Sequence, residues 1–147
     1  MGSLNLPSAG LIYVDTAPVI YSVEKHADFW ALLRPLWMAS KAGQIGIVSS
    51  ELVLLETLVG PLKAGDVALT RDYEQLFASV DVSLIPITAN VLRKAAQLRA
   101  ATGLKTPGAI HAATALASGC VQFITNDSGL RRVSGLNVVI LRDLLTN

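Results

Sequence analysis

The chain has little cysteine, few aromatic residues and almost no net charge. Its single cysteine, Cys120, excludes an internal disulfide and is typical of a protein in a reducing compartment. Aromatic residues make up 5% of the chain against 52% hydrophobic residues, so we expect a mostly aliphatic core. The formal net charge is only +1, so any nucleic acid would have to be bound by a local basic patch.

Long hydrophobic runs are also absent. No stretch reaches the roughly 20 apolar residues that a transmembrane helix needs, and the first residues do not have the pattern of a signal peptide. We therefore expect a cytoplasmic protein with no membrane partner. Residues 1–10 are interpreted as an N-terminal extension or a remnant of an expression vector, and residues 11–147 as one domain.

Short apolar runs alternate with longer segments of helical periodicity, which predicts βαβ units and a parallel sheet. We therefore predict an α/β fold with a central, mainly parallel sheet of about five strands. The predicted strands are Leu11–Val14, Ile45–Val48, Val82–Ile87, Val121–Ile124 and Val138–Ile140.

Two predicted helices contain proline. Pro35 lies inside the helical pattern of His26–Ala42, and we expect it to kink or split that helix. A helix over Glu51–Val59 is predicted to close at Gly60–Pro61. The other main predicted helices are Asp66–Ala78, Ala89–Ala101 and one opened by Thr106 as N-cap and Pro107 as first helical residue.

Three acids follow predicted strands. Asp15 comes directly after the first strand, Glu56 lies in the helix after the second, and Asp127 follows the fourth. The carboxyl ends of parallel strands meet at one edge, where α/β proteins bind ligands. Clustered carboxylates there suit Mg²⁺ or Mn²⁺. Asp15 can equally serve only as the cap of the next helix.

Four motifs carry a resemblance to a known family: Val14–Thr16, Ser49–Glu56, Thr106–Ala115 and Ile124–Asp127. In this order and spacing they resemble the PIN domain, in particular the VapC-type toxins of bacterial type II toxin–antitoxin pairs. The resemblance implies a three-layer α/β/α fold and a metal-dependent endoribonuclease that uses Mg²⁺ or Mn²⁺. It also implies an RNA substrate, an antitoxin partner and a homodimer.

The resemblance assigns roles by position. Asp15, Glu56 and Asp127 would be the catalytic, metal-binding acids. Thr16 and Asn126 would orient ligands, waters or phosphate beside them. A further pair, Arg131 and Arg132, follows Asp127 closely; these arginines are candidate phosphate contacts or, alternatively, a solubilising surface.

Gly108 departs from the family pattern, which usually has Asp there. Glycine early in a helix costs about 0.5–1 kcal/mol relative to alanine, and no turn requires it here. We therefore expect impaired nuclease activity, through either a disabling substitution or a natural loss. The alternative function is a catalytically silent PIN-like module that binds RNA or an antitoxin. His111, one turn later, either reaches the site or is a packed histidine.

Aromatic residues on the helices after the first strand have two possible roles. They either form the surface for a homodimer and an antitoxin peptide or belong to the core. These residues are Phe29, Trp30, Trp37 and Tyr73.

Overall fold

The computed structural model describes residues 2–145 and contains a five-stranded sheet in the order β3-β2-β1-β4-β5. Every neighbouring pair of strands is parallel. The predicted parallel sheet is therefore confirmed, with shifts of a few residues at most at the strand ends. The strands are β1 (Leu11–Val14), β2 (Gly46–Ser50), β3 (Ser83–Ile85), β4 (Gln122–Thr125) and β5 (Val138–Ile140).

Helices connect the first four strands and cover both faces of the sheet. Two short 3₁₀ helices follow β4 and β5, at Ser128–Arg132 and Leu141–Leu145. The α-helices are α1 (Thr16–Val23), α2 (Trp30–Lys41), α3 (Leu52–Ala64), α4 (Val67–Ala78), α5 (Ala89–Thr102) and α6 (Thr106–Ser118).

Alternation along β1 divides the core into two layers. Ile12 and Val14 face the cluster formed with α1, α2 and α4, and Tyr13 faces the cluster formed with α5 and α6. This follows from the two-residue period of side chains along a strand. The structure thus has the three-layer α/β/α arrangement that the resemblance implied.

The predicted split at Pro35 and the predicted end of a helix at Gly60–Pro61 are wrong, whereas a kink at Pro35 stays a prediction. Pro35 does not split α2, and α3 continues through Gly60 and Pro61 to Ala64. A helical proline removes one backbone donor. In α2 the fully buried Leu33 and Leu36 on either side of Pro35 hold the helix in the core. In α3, Pro61 is itself buried, and the helix ends soon afterwards at residue 65.

Helix α6 begins one residue earlier than predicted. Lys105 occupies the N-cap position and Thr106 is the first helical residue. The Thr106 side chain therefore does not cap the helix, and Pro107 still lies in the first turn, where its missing N–H has no intrahelical partner to lose.

The aromatic residues expected at a partner surface mostly belong to the core. Phe29, Trp37 and Tyr73 are buried, and Trp30 packs partly buried against the same cluster. The Trp37 indole donates to Ser22 Oγ at 2.8 Å. The core alternative is therefore correct for Phe29, Trp37 and Tyr73.

The segment before β1 packs on the domain. Gln122 Nε2 donates to the Asn5 carbonyl at 2.8 Å, and Leu4 and Leu6 lie against the core. Within residues 2–145, no helix is both long enough and apolar enough to cross a membrane.

Candidate active site

The central strand β1 marks the point where the strand order reverses. Strands β2 and β3 lie on one side of β1, and β4 and β5 lie on the other. In open α/β sheets, ligands bind in the crevice at the carboxyl ends of the strands at such a switch point. Asp15 follows β1 and Asn126 follows β4, so both residues lie at this crevice.

Asp15 caps α1 and also belongs to the cluster of acids. Its Oδ1 accepts from the Thr16 backbone N–H at 2.8 Å, and its Oδ2 accepts from Thr125 Oγ1 at 2.7 Å. Its own N–H donates to the Ile124 carbonyl at 3.0 Å and so continues the pairing of β1 with β4. The cap role and the site position, which the sequence left as alternatives, are thus compatible.

Glu56 reaches the crevice from α3 and meets two side chains. Its Oε1 accepts from Thr16 Oγ1 at 2.7 Å and lies 2.8 Å from His111 Nε2. Nε2 also lies 3.5 Å from Asp15 Oδ1. Burial alone would raise the pKa of Glu56, but the hydrogen bonds with His111 and Thr16 hold that pKa below its ordinary value. Glu56 is therefore an ionised carboxylate at neutral pH.

His111 is a buried member of the acidic cluster. It is 1% exposed, and its Nδ1 lies 2.6 Å from the Tyr13 hydroxyl on β1. Tyr13 is fully buried, and its ring stacks on Phe123 at a centroid distance of 4.9 Å. Burial raises the pKa of Tyr13 well above its ordinary value, so this residue is a neutral phenol.

Asp127 follows β4 two residues after Thr125 and is exposed. Its Oδ1 accepts from the Gly129 N–H at 2.9 Å, which caps the 3₁₀ helix after β4. Its backbone N–H donates to Thr125 Oγ1 at 3.0 Å. The Thr125 hydroxyl therefore bonds both to Asp15 and to the backbone of Asp127.

The other predicted site residues make contacts within the protein. Asn126 accepts from the Arg142 N–H through Oδ1 at 2.7 Å and donates to the Tyr21 hydroxyl at 3.3 Å. Arg131 forms an exposed ion pair with Asp143. Arg132 donates to the Thr102 and Gly129 carbonyls. Phosphate contact by either arginine stays a prediction.

Gly108 leaves room for a larger residue in the first turn of α6. A Cβ atom added there would meet Leu130 Cδ2 at 3.8 Å, an ordinary van der Waals contact. Gly108 has no left-handed backbone angle that would require glycine. The fold therefore accepts a side chain at the position where the family usually has Asp.

The donor set fits a divalent cation by its chemistry. Asp15, Glu56 and Asp127 offer carboxylate oxygens, the ligands that Mg²⁺ and Mn²⁺ prefer, and Mg²⁺ needs only one or two of them beside its waters. Within residues 2–145, no three His, Cys, Asp or Glu side chains are arranged to hold a metal ion directly. Water molecules would therefore complete any coordination shell.

Two contributors to this cluster were missed at the level of sequence. In the sequence, Tyr13 looks like an ordinary strand residue between Ile12 and Val14. Thr125 looks like the last residue of a strand. The available signals were a phenol on the face of β1 opposite its aliphatic neighbours and a hydroxyl directly before Asn126.

Comparison with known proteins assigns the family. The family model of the PIN domain matches residues 12–136, and the chain belongs to this family. A search of curated proteins found no match.

Solved structures of similar fold include VapBC proteins and a toxin–antitoxin complex. VapBC2 of Rickettsia felis, bound to a DNA fragment from its promoter, aligns with a TM-score of 0.71 at 20% identity, over 88% of this chain and 98% of that chain. FitAcB of Neisseria gonorrhoeae aligns with a TM-score of 0.66 at 17% identity, over 90% and 99%. A toxin–antitoxin complex of Klebsiella pneumoniae aligns with a TM-score of 0.60 at 22% identity, over 88% and 97%. At these identities the likeness establishes the fold.

Proposed function

We propose that this chain is a metal-dependent endoribonuclease of the VapC type, the toxin of a type II toxin–antitoxin pair. One observation carries the proposal: a PIN domain brings Asp15 and Glu56 to one hydrogen-bonded cluster at the carboxyl edge of its sheet, with Asp127 linked to it through Thr125. Clustered carboxylates at this edge suit phosphodiester hydrolysis, in which negative charge develops on phosphate.

Asp15, Glu56 and Asp127 would hold Mg²⁺ or Mn²⁺ partly through water molecules, because within residues 2–145 no three such side chains are arranged to bind one ion directly. Such an ion, when bound, supplies charge stabilisation for the phosphate and lowers the pKa of a bound water. Glu56 is kept ionised by Thr16 and His111, and Asp15 is fixed in orientation by Thr125. These contacts hold the carboxylates ready to bind before the substrate arrives.

Gly108 supports impaired activity in this chain, because the resemblance places an aspartate at this position. Without an acid in the first turn of α6, one turn before His111, the site has one charged ligand fewer. We therefore expect a lower affinity for the metal ion than with aspartate at this position. The same observation supports a second candidate function, a catalytically silent PIN-like module that binds RNA or an antitoxin.

A partner surface is supported by an exposed apolar stripe on α3. Leu55, Val59 and Leu62 lie at helical spacing and are 67%, 57% and 64% exposed. Val67, at the start of α4, lines the same surface depression as Leu62 and is 68% exposed. Exposed apolar surface of this kind suits an antitoxin helix or a second copy of the chain. We propose both partners for a cytoplasmic protein, with the α3 stripe (Leu55, Val59, Leu62 and Val67) as their surface.

The test is cleavage of a mixed pool of structured RNAs by this chain and by Gly108→Asp, with Mg²⁺, with Mn²⁺ and with EDTA. We expect EDTA-sensitive cleavage that is far stronger in the Asp variant. Cleavage that is equal in both proteins and indifferent to EDTA would contradict the proposal. Binding of RNA without cleavage by either protein would favour the silent module.

A further inference from the structure

Tyr13, buried beside His111, is the part of this cluster that the proposed chemistry does not yet use. The two residues are 98 positions apart in sequence, yet the hydroxyl and Nδ1 are 2.6 Å apart and both side chains are almost fully buried. Burying two polar side chains is costly unless each is hydrogen-bonded. A core of aliphatic residues would fill this space without that requirement.

Tyr13, His111 and Glu56 form a chain of hydrogen bonds in which each group donates to the next. Glu56 is a carboxylate and only accepts, so the 2.8 Å contact with Oε1 requires a proton on His111 Nε2. In the neutral imidazole, Nδ1 is then an acceptor. It faces the hydroxyl of Tyr13, a phenol that has a proton to donate.

The Tyr13 ring is fixed independently of its hydroxyl. It stacks on Phe123 with an interplanar angle of 5° and meets the His111 ring edge-on at 73°. The phenol thus has a fixed position on the rigid central strand. Within the described residues, the hydrogen bonds to Glu56 from Thr16 and His111 both reach Oε1.

We propose that Tyr13 is a positioning residue of this site: its hydroxyl donates to His111 Nδ1, which directs Nε2–H onto Glu56 Oε1 and leaves Oε2 for a ligand. Through His111, Tyr13 on the rigid strand β1 thereby fixes the position of the Glu56 carboxylate on α3. We call this chain of hydrogen bonds the Tyr13–His111–Glu56 relay. Its effect on metal binding rests on the proposed function, whereas the relay itself does not.

The relay is tested first by nitrogen NMR on metal-free protein labelled with ¹⁵N-histidine. The chain has two histidines, and His26→Gln assigns the signals. At slightly alkaline pH we expect His111 to show a protonated Nε2 and an unprotonated, hydrogen-bonded Nδ1. In Tyr13→Phe, the Nδ1 signal should move to the higher frequency of a nitrogen without a hydrogen bond. A protonated Nδ1 with an unprotonated Nε2 in the unaltered protein, or no movement in Tyr13→Phe, would overturn the proposal.

The matched control is Tyr73→Phe. Tyr73 is also fully buried and donates to a carboxylate, that of Glu24, but in the opposite core layer. We expect Tyr73→Phe to lower stability about as much as Tyr13→Phe does and to leave the His111 nitrogen signals unchanged. A general loosening of the fold would instead move those signals in both variants.

The second measurement is Mn²⁺ affinity by calorimetry. Loss of an outer partner of a metal ligand typically weakens binding 10–100-fold, and we expect about 10-fold for Tyr13→Phe and for His111→Gln. Tyr73→Phe should bind like the unaltered protein. Unchanged affinity in Tyr13→Phe beside an altered Nδ1 signal would overturn the positioning role. Absence of Mn²⁺ binding in every protein would instead refute the proposed metal site, while the His111 signals would still decide the relay.

Discussion

The hydroxyl of Thr125 donates to Asp15 Oδ2 at 2.7 Å, and this contact joins the ends of β4 and β1 at the acidic edge. The same hydroxyl accepts from the Asp127 N–H at 3.0 Å. A fully buried threonine thus fixes the orientation of one acid and the backbone of another. Orientation of this kind, and not charge alone, prepares carboxylates to bind a cation.

Thr125→Val tests this contact, because it replaces the hydroxyl with a methyl group of similar size. We expect a loss of about 1.5–3 kcal/mol in the free energy of unfolding, since a hydrogen bond to a charged group is lost in the interior. We also expect weaker Mn²⁺ binding by calorimetry. Thr114→Val is the matched control, because Thr114 is equally buried and its hydroxyl bonds within α6 to the Ile110 carbonyl. Equal Mn²⁺ affinity in the two variants would refute the role of Thr125.

Asp15→Asn should abolish most RNA cleavage in a Gly108→Asp background. Asparagine keeps the shape and one acceptor oxygen but removes the charge that a divalent ion requires. Loss of about 3 kcal/mol of charge stabilisation corresponds to about a 100-fold fall in rate. Asp72→Asn, on the exposed side of α4, removes the same charge and should cleave normally. Initial rates on a labelled RNA decide the question, and full activity of Asp15→Asn would exclude this acid from the site.

Glu56 should make stability depend on pH. Its pKa is lower in the folded protein than its ordinary value of 4.5, so folding favours the ionised form. This contribution is present above the unfolded pKa and is lost as the pH falls through the folded pKa. Urea unfolding in EDTA should therefore show a stability difference between the unaltered protein and Glu56→Gln that decreases below about pH 4.5. A difference that stays constant from neutral to acidic pH would contradict this assignment.

We expect Mn²⁺ to stabilise the Gly108→Asp variant against unfolding more than it stabilises the unaltered chain. The space beside Leu130 accepts the new side chain, and an added carboxylate raises affinity for the ion. Because binding to the folded state alone raises stability, Mn²⁺ should raise the melting temperature more in this variant. Gly60→Asp is the control, since a Cβ there meets nothing within 4 Å and the position lies on the exposed side of α3. An identical Mn²⁺ response in all three proteins would separate Gly108 from the metal site.

Leu55→Lys should disrupt partner binding at the α3 stripe without unfolding the domain. Leu55 is 67% exposed, so the change leaves the core intact and places a charge in the proposed interface. Val80→Lys makes a similar change at an isolated apolar residue that is 99% exposed. Gel filtration and antitoxin co-purification should show a loss for Leu55→Lys only. A dimer that persists in Leu55→Lys, with the antitoxin still bound, would place the interface elsewhere.

The order of elements and the acids at strand ends followed from the sequence. Each strand overlaps a short apolar run, and Gly103 and Gly119 end α5 and α6 with left-handed backbone angles. These features are local, because propensity, capping and hydrophobic period act within a few residues. The split predicted for α2 and the early end predicted for α3 were wrong, because burial of Leu33, Leu36 and Pro61 outweighs the local effect of a helix proline.

Only the tertiary structure decided which polar groups meet. The pairing of Tyr13 with His111 and of Thr125 with Asp15 spans 98 and 110 positions, a separation at which no local pattern carries information. The sequence by itself determined a parallel α/β sheet with Asp15, Glu56 and Asp127 near one edge. The packing of α6 against α3 and β2 decided that His111 bonds to Glu56, because close-packed side chains have only a few positions in which every buried polar group is satisfied.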